Sequence, residues 1–148
     1  MNKVVWKVKS LIHSWTGSHK LKKGDLITDS KEIFYRSVFR KDKRYIDKKT
    51  GKFTSRAFSP RPKDQGKLSV DLKRLTTIEN SLNNQPERFV LGTIVNKDVL
   101  SLNLESVYDP IKDEQFDNLA HCLIIGIPEE DESIAGILAR KSEKIEID

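Results

Sequence analysis

The sequence predicts a mixed α+β fold, and three observations carry that reading. Apolar residues recur at three- and four-residue spacing near both ends of the chain, as amphipathic helices require. Between them lie short stretches that are rich in β-branched and aromatic residues or that alternate polar with apolar, and these read as strands. Gly, Pro, Asn and Asp punctuate those stretches at close intervals. With 148 residues, 36% of them hydrophobic and 33% charged, the chain suits a single domain burying roughly two-thirds of its unfolded surface. The expected architecture is a mixed or antiparallel sheet with an N-terminal amphipathic helix and a C-terminal helix. Residues 1–24 would form the basic helix and linker, and residues 31–148 the α+β core.

In chain order, Val4, Val5, Val8, Leu11, Ile12 and Trp15 share one helical face, with Lys3, Lys7 and Ser10 on others, so a helix of about three turns is expected over residues 4–15. Gly17 and the residues up to Gly24 end it. Ile33 to Phe39 reads as a strand. Turn chemistry around Gly51 makes Tyr45 and Phe53 the flanks of a hairpin or exposed loop. Pro60 and Pro62 exclude an α-helix through Arg56 to Lys63 and favour an extended path. Lys67 to Leu72 alternates cleanly and reads as a half-buried strand. Thr76 and Glu79 fit a capping box, so a short helix should run towards Leu82. Arg88 to Ile94 and Val99 to Tyr108 read as strands around an Asn96-Lys97-Asp98 turn, with Leu100, Leu102 and Leu104 on one face. Ala120 to Ile127 resembles the buried centre of a sheet. Pro128 then stands at the first position of a helix whose acidic start and basic end, Arg140 and Lys141, suit the helix dipole.

Composition narrows the function classes. No apolar run approaches the roughly 18 to 20 residues that cross a bilayer, so no membrane span is expected. Lys3, Lys7 and Lys9 interrupt any secretory h-region. The single cysteine, Cys122, leaves no intramolecular disulfide and no multi-cysteine zinc site, which suggests a cytoplasmic setting. The formal charge of +5 conceals an asymmetry: positions 1–75 hold 21 Lys+Arg against 7 Asp+Glu, and the remainder 6 against 15. Either the front half offers a polyanion-binding surface, or the halves pack together and neutralise each other.

Candidate chemistry concentrates between Tyr35 and Asp71. Arg36, Arg40, Arg44, Tyr45, Arg56, Arg61 and Lys63 are the candidate binding residues, interleaved with Phe34, Phe39, Phe53 and Phe58. Cations neutralise phosphates and aromatic faces stack on bases, so this mixture suits a nucleic acid or an acidic protein partner. The alternative places Phe34 and Phe39 in the core, with Tyr45 and Phe53 as a cross-strand pair. No metal site and no bound cofactor are expected on the binding reading. His121 and Cys122, as strand neighbours, point to opposite faces and so form neither a shared metal site nor a nucleophile–base pair. A hydrogen-bonded structural His121 and an acid–base His121 near an arginine both remain open.

Arg36, Ser69 and Glu79, in that order, resemble loosely the arginine, serine and glutamate of ADP-ribosyltransferase-like domains and their toxin relatives. That resemblance implies a nicotinamide dinucleotide substrate, with Arg36, Ser69, Glu79 and His121 as catalytic candidates. The segments Tyr35-Arg36, Ala57-Phe58-Ser59-Pro60-Arg61, Leu68-Ser69-Val70-Asp71, Ala120-His121 and Leu138-Ala139-Arg140 also resemble a set of small bacterial proteins without an assigned activity. This implies a bacterial cytoplasmic origin and leaves an antitoxin, immunity or assembly subunit as a further expectation.

Overall fold

A computed structural model describes residues 20–147; the helix expected over residues 4–15 lies outside the described residues. Two strands coincide with their sequence signals: β1 (Ile33–Phe39) and β2 (Lys67–Leu72). The chain continues through α1 (Ile78–Ser81), β3 (Phe89–Val95), α2 (Asn96–Ser101), β4 (Glu105–Tyr108), β5 (Ile111–Lys112), β6 (Asp117–Asn118), β7 (His121–Ile125), α3 (Ser133–Lys141) and β8 (Lys144–Ile145). Six strands form one antiparallel sheet in the order β4-β7-β2-β1-β3-β8, and β5 pairs with β6 in a small ribbon. The fold is α+β, and no helix among the described residues is long and apolar enough to cross a membrane.

Alternation along the strands gives the sheet two unlike faces. On the core face Phe34, Val38, Leu68, Val70, Leu72, Val90, Ile94, Cys122 and Ile124 are buried beneath Ala135 and Leu138 of α3 and the turn carrying Ala57 and Phe58. Burying one such large side chain contributes about 1.5–3 kcal/mol, so this layer supplies most of the driving force. The outer face has a smaller cluster of Tyr35, Leu91 and Leu82, the last of these just beyond α1, flanked by Ile78, Phe89, Ile145 and Ile147. Gly92 lies on β3 opposite Arg36. Its missing side chain admits the rings of Phe53 and Phe58, which meet edge to face at 5.4 Å.

Several expectations are corrected. Phe34 is fully buried but Phe39 is 43% exposed, because residues five apart on a strand face opposite ways. The cap of α1 is Thr77, whose Oγ1 accepts the Asn80 N–H at 3.1 Å, while the Thr76 hydroxyl meets Ser81 Oγ at 3.1 Å. Glu79 therefore belongs to no capping box. The expected turn at Asn96 is the helix α2, and the strand that follows begins only at Glu105. Asn96 is fully buried there: its Nδ2 donates to the carbonyls of Ile27 and Asp29 at 2.9 and 3.0 Å, and its Oδ1 accepts from Ser106 Oγ at 2.7 Å. Val99 and Leu104 enter the core, whereas Leu100 is exposed. The last helix begins at Ser133 rather than at Pro128, with Asp131 accepting both the N–H and the hydroxyl of Ser133 at 2.9 and 2.6 Å. The proline-rich stretch forms two 3-10 turns, Ser55–Phe58 and Pro62–Asp64, instead of a simple extended path. The hairpin bridge joins Ile46, not Tyr45, to Phe53.

Candidate anion site where two strands part

β1 and β2 pair only at Phe34↔Leu72 and Tyr35↔Asp71, although β1 continues along β3 to Phe39 and β2 begins along β7 at Lys67. From Arg36 onward the two strands therefore part within the sheet. The Arg36 side chain occupies this opening: its Nε donates to the Ala57 carbonyl at 3.0 Å and its Nη1 to the Ser69 carbonyl at 3.1 Å. It thus ties the 3-10 turn to a strand edge that a backbone ladder leaves free. Burial holds the Arg36 guanidinium below the ordinary arginine pKa; neighbouring Arg61 pushes the same way, while Tyr45 and Asp64 oppose it. The group stays protonated. No carboxylate pairs with it among the described residues.

Of the charged neighbours, Arg61 and Asp64 act on this cation directly; the other candidate cations lie on the loops that follow β1. Arg61 Nε donates to Asp64 Oδ2 at 3.1 Å. Arg44 grips Asp42, Nη2 to Oδ2 at 2.6 Å, and lies 5.3 Å from the Tyr45 ring centroid. Those hydrogen bonds from Arg44 lower the Asp42 pKa to about 2. Arg56 and Lys63 are exposed on the same turns, without an acidic partner among the described residues. Arg40 belongs elsewhere: it donates to Glu146 at 2.7 Å and to the Pro86 carbonyl at 2.6 Å, so its charge is spent inside the fold. Arg40–Glu146 and Lys23–Asp109 join the basic and acidic halves, but Arg44 and Arg61 find their acids within the basic half.

The other singled-out residues lie apart. Ser69 is exposed, and alternation places its side chain on the outer face, opposite to Arg36. Glu79 is exposed on α1, which covers the outer face. His121 also faces outward, with Nδ1 at 2.8 Å from the Asp109 carbonyl and 3.1 Å from its carboxylate. Cys122 is buried on the core face, its Sγ against the Ala120 carbonyl, and burial pushes its thiol well up. No group of three His, Cys, Asp or Glu among the described residues could hold a metal ion.

Sequence reasoning missed two features. Asp71 accepts from Ser81 Oγ at 2.7 Å and from Asn118 Nδ2 at 2.8 Å, a network of residues distant in the chain. Ser37, between Arg36 and Val38, has a buried hydroxyl with no hydrogen-bond partner among the described residues. Nothing in the local sequence signals either. No known family model, curated protein or solved structure matches this chain.

Proposed function

We propose that the opening between β1 and β2 binds the phosphate backbone of a nucleic acid, with Arg36 at its centre and Arg44, Tyr45, Arg56, Arg61 and Lys63 around it. The supporting observation is a half-buried arginine whose hydrogen bonds go to two neutral carbonyls, which leave its charge uncompensated. A guanidinium carries five N–H donors, so three remain for a phosphate. A partly desolvated cation attracts an anion more strongly than one in bulk water, and the planar fork suits a phosphate bidentately.

Fluorescence anisotropy of a labelled oligonucleotide across a salt series tests this. Binding at low salt that weakens steeply as salt rises is the expected result, because each neutralised phosphate releases condensed counter-ions. The double substitution Arg61→Glu with Lys63→Glu should lower affinity by more than about tenfold, and Lys141→Glu, the same kind of change on α3, should not. Absence of binding at low salt removes the proposal. Binding to an acidic protein with none to nucleic acid would replace it.

A further inference from the structure

We infer that the nucleic acid is single-stranded and that Phe39 and Phe89 form the platform on which one of its unpaired bases stacks; this rests on the phosphate reading above. The two residues are cross-strand partners on β1 and β3. Their rings stack with centroids 4.9 Å apart and planes 27° from parallel. Phe39 remains 43% exposed. The Arg88 guanidinium lies 5.6 Å from both ring centroids, so a cation borders the aromatic surface. Three residue steps of strand, about 10 Å, lead from Arg36 to Phe39. The two side chains lie on opposite faces of the sheet, and beyond Tyr35 β1 no longer pairs with β2.

The chemistry of this patch selects its occupant. An exposed ring pair bordered by an arginine offers a π-face to a flat group and a positive charge to the phosphate attached to it. A base inside a duplex is stacked on its neighbours and cannot lie on a phenyl ring, whereas an unpaired base can. Acidic peptides would use Arg88 but gain little from the rings.

The test uses three labelled ligands of equal length: a single-stranded oligonucleotide, the same strand annealed to its complement, and an abasic strand that keeps the phosphates. The protein should bind the single strand about tenfold more tightly than either of the others. Phe39→Ala should reduce single-strand affinity to the abasic level and leave abasic binding unchanged, and Phe39→Tyr should restore it. Arg88→Ala, which loses its contacts with both rings and with Gln85, should weaken single-strand binding in a protein that stays folded by circular dichroism. Equal binding of all three ligands, with no effect of Phe39→Ala, overturns the platform and leaves the phosphate site standing. Failure of all three to bind at low salt removes the phosphate reading itself. A wild-type dimer that Phe39→Ala dissociates in sedimentation makes the pair a contact between copies and overturns the inference.

Discussion

Replacing Gly92 by alanine tests the packing that holds Arg36 in place. A Cβ built at this position would lie 2.8 Å from Ser142 Oγ, 2.9 Å from Phe53 Cε2 and 2.9 Å from Phe58 Cζ. Carbon atoms in contact prefer about 3.5–4.0 Å, so each neighbour must retreat by more than half an ångström. Phe58 is fully buried and meets Phe53 edge to face, so neither ring can move independently of the other. Overfilling a packed core costs about 1–3 kcal/mol. Removing a glycine from a strand returns about 0.5–1 kcal/mol of that, leaving a net destabilisation of about 0–2.5 kcal/mol, about 1 kcal/mol at the middle of the range. For a chain of this size that middle value lowers the melting temperature by about 2–4 °C. Thermal and urea denaturation followed by circular dichroism measure this, with an unchanged m-value showing that the unfolding reaction is the same. Because Phe58 adjoins the Ala57 carbonyl that holds Arg36 Nε, oligonucleotide affinity should fall in parallel. A variant more stable than the wild type refutes the packing of Phe53 and Phe58 over β3.

Four further outcomes follow from the same structure. Asn96→Ala leaves the Ile27 and Asp29 carbonyls and the Ser106 hydroxyl without their partner and should cost about 2–4 kcal/mol by urea denaturation; a loss below 1 kcal/mol, on the order of one ordinary hydrogen bond, contradicts the network. Cys122 should resist alkylation at mildly alkaline pH in the native protein and react fully in denaturant, which thiol labelling followed by mass spectrometry will show; fast native labelling contradicts its burial. Asp42 should titrate near pH 2 by NMR, against about 3.9 in an unfolded chain. Its pairing with Arg44 therefore stabilises the fold above that unfolded value and is lost as pH falls through about 2; Arg44→Gln should return the midpoint towards the ordinary value. Glu79→Gln should change stability by less than about 0.5 kcal/mol, since Thr77 caps α1 and Glu79 is exposed; a larger loss by thermal denaturation revives the capping box.

How far each element was legible depended on how local its cause is. Ile33 to Phe39 and Lys67 to Leu72 declare themselves because β-branched and alternating residues are sufficient causes of strand geometry. Val99 to Tyr108 misleads because Leu100, Leu102 and Leu104 happen to alternate, while the helix that takes Asn96 to Ser101 is anchored by bonds from Asn96 to Ile27, 69 positions away in sequence. On sequence grounds Glu79 favours Thr76 as the cap, but the Thr76 hydroxyl is engaged with Ser81, itself bonded to Asp71, and Thr77 caps instead.

The sequence by itself determined the α+β class, two strands to the residue, the separation of His121 from Cys122, and the basic character of the segment around Arg36 to Lys63. These follow from periodicity, alternation and composition, which are properties of neighbouring residues. Tertiary structure alone decided which cations remain available. Arg40 is consumed by Glu146 and the Pro86 carbonyl, whereas Arg36 donates to the Ala57 and Ser69 carbonyls and, among the described residues, has no carboxylate within ion-pair distance. It also set Phe89 and Arg88 beside Phe39, whose outward direction alternation from Phe34 already dictates. Charge is carried by each residue, but its neutralisation and its exposure depend on partners brought near only when distant segments pack.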